Sequence, residues 1–188
     1  MRLPTPEELP FLDHVDALHF AFHTEVKDRT PISTLFRTMQ GGGVKIRPKL
    51  DLSREDRGTQ GALIMSLVNR TLPPGPEKTA IYAYYTVPVA MYARRKVVAC
   101  ETIAVWINSQ IGTPMWFTVD IIKGWARLKP SHNLKWWAEH LKVSERTCQR
   151  YAYGRSNKSP GIYTLLERAM GDADGKLVPA MRDCQLIP

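Results

Sequence analysis

The chain has 188 residues, 44% of them hydrophobic and 23% charged, with a net charge of +8, enough for one domain with a sizeable core or for a small domain carrying a compact second one. No apolar run reaches the roughly 20 residues that span a bilayer, and the opening MRLPTPEELP lacks the basic-then-apolar order of a signal peptide. Cys100, Cys148 and Cys184 stand far apart and outside any CxxC spacing, which argues against a disulfide scaffold and a zinc module and gives the expectation of a cytoplasmic protein with no membrane partner and no cofactor.

Residues 4–11 read as a short capped opening and 12–25 as a helix. On that helix His19 and His23 share a face, with Asp16 a turn before them. A zinc site needs three or four ligands, and no Cys or further His follows at metal spacing, so ordinary histidines and no metal are expected. Residues 31–39 suit another short helix. The segment 39–61, with Gly41, Gly42, Gly43, Pro48 and a dense scatter of charges, reads as a loop, linker or short hairpin. Its glycines lack the GK[ST] ending of a phosphate loop. Lys45, Arg47 and Lys49 suit a phosphate backbone and a solvated arm equally.

From residue 61 the pattern becomes strongly helical. A helix over 61–72 is broken by Pro73, Pro74, Gly75 and Pro76, a second over 77–87 ends at Pro88, and 89–110 forms a long central helix. Tyr82, Tyr84, Tyr85, Tyr92 and Trp106 recur at helical spacing and are expected in the core rather than on a base-stacking platform. Arg94, Arg95 and Lys96 interrupt the apolar run, open to DNA or to a partner. A further helix over 115–128 stops at Pro130, two short helices fill 134–153, and Gly154 and the polar RSNKS follow. Ser159 and Pro160 introduce a last helix over 162–170, with Gly171 just past its end and an irregular tail over 172–188. The expected fold is all-α. It is divided into an N-terminal segment (1–60), a central bundle (61–114), a C-terminal region (115–171) and the tail, with 61–171 as one domain the alternative.

The positive charge is not spread evenly. Residues 121–170 hold ten Lys and Arg against three Asp and Glu, so nearly the whole excess sits there. A polyanion partner accounts for such a concentration better than a solvated helix face, because cations that neutralise phosphates release counterions.

Within that region LKWWAEHLKVSERTCQRYAY, residues 134–153, places Trp137, Ala138 and Leu141 on one face of a first helix and Cys148 and Tyr151 on the facing side of a second. Val143 fills the turn, and Ser144 can cap the second helix. The stretch resembles the DNA-binding helix-turn-helix, whose second helix enters the major groove. The resemblance implies base-reading roles for Glu145, Arg146, Gln149 and Arg150, which point away from the interhelical contact. Arg suits guanine O6 and N7, Gln adenine N6 and N7, and Glu cytosine N4. Ser144 and Thr147 suit a phosphate at the helix N-terminus, and Lys142, Tyr153, Arg155 and Lys158 would flank the groove and hold register. In the turn, Lys142 stands where this family commonly has glycine, so a residue with a Cβ is expected to adopt a positive φ. Cys148 replaces the usual branched aliphatic residue.

Residues 63–85, LIMSLVNRTLPPGPEKTAIYAYY, are similar to the opening of the promoter-binding region of sigma factors, although some fifty residues separate them from the helix-turn-helix. Small phage-encoded regulators, including late-gene antiterminators that bind DNA and engage RNA polymerase, are similar in size and order. Together these readings give the expectation of a sequence-specific double-stranded DNA-binding transcription regulator, with RNA polymerase as a candidate partner and a homodimer if the operator is palindromic. The alternatives are a non-catalytic interaction module with a basic face and, further off, a DNA-processing enzyme. No catalytic residue is nominated, because the sequence shows no nucleophile beside a base, no carboxylate pair at useful spacing and no metal cluster.

Overall fold

A computed structural model describes residues 9–29, 54–88, 90–129, 131–156 and 159–188. The helix expected over 31–39, most of the glycine-rich segment with Lys45, Arg47 and Lys49, and the phosphate candidate Lys158 lie outside the described residues. Among those described, the protein is helical as expected: α1 (His14–Arg29), α2 (Arg54–Thr71), α3 (Pro76–Tyr85), α4 (Ala90–Ile111), α5 (Met115–Trp125), α6 (Leu134–Leu141), α7 (Glu145–Tyr153) and α8 (Ile162–Asp183), with short strands β1 (Gly154–Ser156) and β2 (Ser159–Pro160) between α7 and α8. No described helix is long and apolar enough to cross a membrane. The chain divides into two compact units, residues 74–173 in one and the flanking 1–73 and 174–188 in the other.

In the flanking unit α1 packs on α2. Ala17, Leu18, Ala21 and Phe22 on α1 and Ile64, Leu67 and Val68 on α2 are buried, each set at the spacing that keeps one side of a helix dry. The Phe11 N–H donates to Leu186 O at 3.3 Å, and His14 Nε2 lies 3.4 Å from Asp174 Oδ1. The α2 helix begins at Arg54 rather than at 61. Asp56, Arg57 and Thr59, early in this helix, are exposed, so this stretch is a polar extension of an apolar helix and carries no periodic signal of its own.

The 74–173 unit carries the larger core. Cys100, Ile103, Ala104 and Ile107 of α4, Phe117, Ile121 and Ile122 of α5, Trp137 of α6, Cys148 and Ala152 of α7, and Ile162, Leu165, Leu166 and Ala169 of α8 form one buried cluster. Tyr85 and Tyr92 are buried, while Tyr82, Tyr84 and Trp106 are half-buried, in keeping with a core role for these aromatics. Of the three consecutive cations on α4, Arg94 and Arg95 are exposed, but Lys96 points inward. Its ammonium donates to Tyr84 O at 3.1 Å and Thr86 O at 2.8 Å, satisfying carbonyls at the end of α3 that have no intrahelical partner.

Two further expectations need correction. The last helix does not stop at 170 but runs on to Asp183, through Gly171, Gly175 and Pro179, so most of the tail expected to be irregular is helical. The glycines cost about 1 kcal/mol each and proline about 3 kcal/mol inside a helix. Against that, Ala173, Leu177 and Met181 are fully buried and continue the apolar stripe at four-residue steps. The RSNKS segment, expected as loop, is bracketed by an antiparallel pair in which Gly154 faces Pro160 and Ser156 faces Ser159. Glycine makes this close approach possible. Gly154 has φ 80°, and a Cβ there would stand 2.5 Å from Ser159 O, while one on Gly161 would collide with the backbone of residues 152–154.

Candidate nucleic-acid interface

The two short helices are set by local chemistry at both ends. Asn133 caps α6, its side chain accepting the Trp136 N–H at 2.8 Å. At the other end Lys142 takes the left-handed conformation, φ 52° and ψ 41°. The Val143 N–H then reaches back to Ala138 O at 3.1 Å and the Lys142 N–H to Glu139 O at 3.3 Å, the paired bonds of a Schellman turn. The turn thus has the geometry that glycine usually serves, with lysine carrying the strain, as the sequence suggested. Ser144 opens α7: its Oγ accepts the Thr147 N–H at 3.2 Å and lies 2.9 Å from the Thr147 hydroxyl.

Packing follows the expected faces. Trp137 and Cys148 are buried, and Ala138, Leu141, Val143 and Tyr151 lean on the core. Ala152, one turn beyond Cys148, is also fully buried. Burial, and then the nearby charge of Glu145, push the Cys148 thiol above its ordinary range.

The pair of helices is tied to the bundle through Asp120 on α5, which the sequence reading missed. This carboxylate is 5% exposed. Its Oδ2 accepts the Trp137 indole N–H at 3.0 Å and the His132 N–H at 2.9 Å, with the His132 ring nitrogen at 3.2 Å. Oδ1 is ion-paired with Lys129 at 2.9 Å. Burial alone would raise the pKa of this acid, but the bonds from Lys129, His132 and Trp137 outweigh it and hold the carboxyl below its usual value. Outside the buried contact, Trp136 is stacked between His132 at 3.9 Å and His140 at 3.6 Å. The one sequence signal for Asp120 was a lone acid within the apolar run MWFTVDII.

The outward side of α7 is a polar stripe. Arg146, Gln149, Arg150 and Tyr153 follow at i, i+3, i+4 and i+7, so they share a face. With Leu134 and the hairpin residue Arg155 they line a concavity of about 700 Å³. Among the described residues lining it, none is acidic. Slight desolvation, and then the charges of Arg155 and Arg146, lower the pKa of Arg150, as expected where guanidinium groups of like charge converge. Tyr153 stacks on Tyr163 with ring centroids 5.1 Å apart, and the Thr164 hydroxyl donates to Tyr153 O at 3.3 Å. Burial, and then Tyr153, raise the Tyr163 pKa.

The ten residues nominated from sequence therefore separate. Arg146, Gln149, Arg150, Tyr153 and Arg155 come together in one concave surface. Glu145 lies in the first turn of α7 and is not among the residues lining it. Ser144 and Thr147 are engaged with each other in the cap, Lys142 is exposed at the turn, and Lys158 is outside the described residues. Among the described residues, no group of three or more His, Cys, Asp or Glu is placed to hold a metal ion; on α1 the His19 and His23 rings are 6.2 Å apart.

No protein-family model, curated protein or solved structure matches the chain.

Proposed function

We propose that this protein is a sequence-specific double-stranded DNA-binding regulator that lays α7 in the major groove. The observation carrying this reading is a concave surface where Arg146, Gln149, Arg150 and Tyr153 of α7 converge with Arg155 of β1, on a pair of helices fixed by a cap, a Schellman turn and a buried carboxylate. Guanidinium and carboxamide groups are the side chains that match purine edges, and a rigid platform keeps them in register. Ser144 and the N-terminal amides of α7, together with Lys142, would meet the phosphate backbone.

A second observation favours a protein partner as well. Met115 and Trp116 at the start of α5 and Val105 on α4 are exposed, Trp116 by 67%, and they line a concavity of about 600 Å³ with Trp136. Exposed aromatic and methionine side chains of this kind mark protein contact sites. RNA polymerase or a second copy of the chain would be the partner of a transcription regulator built this way, in line with the resemblance to phage regulators.

The test is selection of bound duplexes from a random DNA pool, followed by titration of the selected and a scrambled duplex at several salt concentrations. Enrichment of a defined site, with affinity falling steeply as salt rises, supports the reading. Salt-dependent binding without preference favours a basic interaction module instead, and metal-dependent cleavage of the duplex would point to a DNA-processing enzyme.

A further inference from the structure

We infer that the core of the recognised site is two guanines on neighbouring base pairs, held by Arg146 and Arg150. The inference rests on the reading of α7 as a major-groove helix and adds the word that it reads.

The first ground is how α7 meets its ligand. The concavity takes in α7 from Arg146 near its start to Tyr153 at its end, and continues to Arg155 on β1. A helix that touched DNA only through its first turn would offer Glu145 and Arg146 and leave Arg150 and Tyr153 unused. The extent of the concave face therefore favours a helix lying lengthwise in the groove, with Arg155 beyond its end over the phosphate backbone.

The second ground is spacing. Residues on an α-helix advance about 1.5 Å each, so Arg146 and Arg150 are separated by about 6 Å along the axis, and side chains three to four positions apart on a helix lodged in the major groove meet successive base pairs. Gln149, only about 1.5 Å along the axis from Arg150, falls beside the second of these pairs and not between the two. Nothing else on that stripe competes for these positions before Tyr153, whose ring is occupied by Tyr163.

The third ground is chemistry. A guanidinium presents parallel donors that fit the two acceptors O6 and N7 of guanine, and a carboxamide presents one donor and one acceptor that fit N7 and N6 of adenine. Among the described residues no acidic side chain lines the concavity, so the acceptors for its guanidinium groups come from the ligand. Cytosine-directed Glu145 sits outside this face, which removes cytosine from the directly read word on this strand.

The experiment uses the full chain, duplexes selected from a random pool, and 7-deazaguanine. This base pairs normally and leaves the phosphates untouched but lacks the N7 acceptor. Each of the two guanines is replaced in turn and binding is measured for the wild type, Arg146→Ala, Arg150→Ala and Arg150→Lys. The wild type is expected to lose about tenfold at either position. Each Ala variant should lose its sensitivity at one guanine and keep it at the other, and Arg150→Lys should retain the salt dependence while losing most of the discrimination. Selected sites without this word, or full affinity for the 7-deazaguanine duplexes while the selected site is still preferred over a scrambled one, would overturn the inference and leave DNA reading intact. No preference for any duplex would overturn both.

Discussion

Trp137 on α6 donates its indole N–H to the buried carboxylate of Asp120 on α5 at 3.0 Å. Beside the apolar packing of Phe117 on Trp137, that bond is a polar tie between α6 and the helix beneath it, and its acceptor is charged. Hydrogen bonds to charged groups contribute about 1.5–3 kcal/mol. Trp137→Phe keeps an aromatic ring in the core and removes the donor, so it is expected to destabilise the protein by about that amount, read as a lowered denaturant midpoint with an unchanged m-value. A midpoint equal to wild type would show that the bond contributes nothing.

The same carboxylate sets an acid limit. Because the folded state holds Asp120 below its ordinary pKa of 3.8, the unfolded chain takes up the proton first. The contribution of Asp120 is complete above that value and is lost as pH falls through the lower, folded pKa. Asp120→Asn should flatten this part of the stability profile, measured by urea unfolding between about pH 5 and pH 2. An unchanged slope would reject the assignment.

Lys96 gives the opposite limb. Burial lowers its pKa from 10.5 to about 8, with Cys100 raising it and Arg127 lowering it by smaller amounts. Below about 8 the ammonium is protonated in both states. Between there and 10.5 the unfolded chain binds more protons, so stability is expected to rise with pH across that window. Lys96→Met should abolish the rise. It should also free the Tyr84 and Thr86 carbonyls, which would appear as faster amide exchange at the end of α3.

Lys142 separates folding from binding. A residue with a Cβ in the left-handed region costs roughly 1–2 kcal/mol, of which glycine returns part and loses about 0.5–1 kcal/mol to its greater freedom in the unfolded chain. Lys142→Gly is expected to stabilise the fold by about 0.5–1 kcal/mol and, if the side chain meets a phosphate, to reduce the salt dependence of DNA binding by about one ion. Thermal unfolding and a salt titration check the two halves independently.

How legible these features were from the residues varies with the kind of signal. The two short helices over 134–153 were plain because their apolar positions repeat at helical spacing and their caps are residues with side chains suited to the task. The positive φ of Lys142 followed from the resemblance, which places glycine at that turn position. Asp120 was not plain, since a carboxylate in an apolar helix gains its partners from His132 and Trp137, both more than ten residues away, and no local pattern encodes them. The continuation of α8 was hidden by Gly171, Gly175 and Pro179, whose intrinsic preference opposes a helix that the burial of Ala173, Leu177 and Met181 enforces. Lys96 was grouped with Arg94 and Arg95 because charge was read without the helix phase that turns it inward. The close pairing of Gly154 and Gly161 left only two glycines as its trace.

The central claim, that α7 reads DNA sequence through Arg150 and its neighbours, is tested most directly by comparing wild type and Arg150→Ala on a selected duplex and on a scrambled duplex of the same length at one salt concentration. Arg150→Ala is predicted to cost roughly 1–3 kcal/mol on the selected duplex and much less on the scrambled one. Equal losses on both duplexes would contradict base reading by α7 and leave Arg150 as no more than a contact to the phosphate backbone.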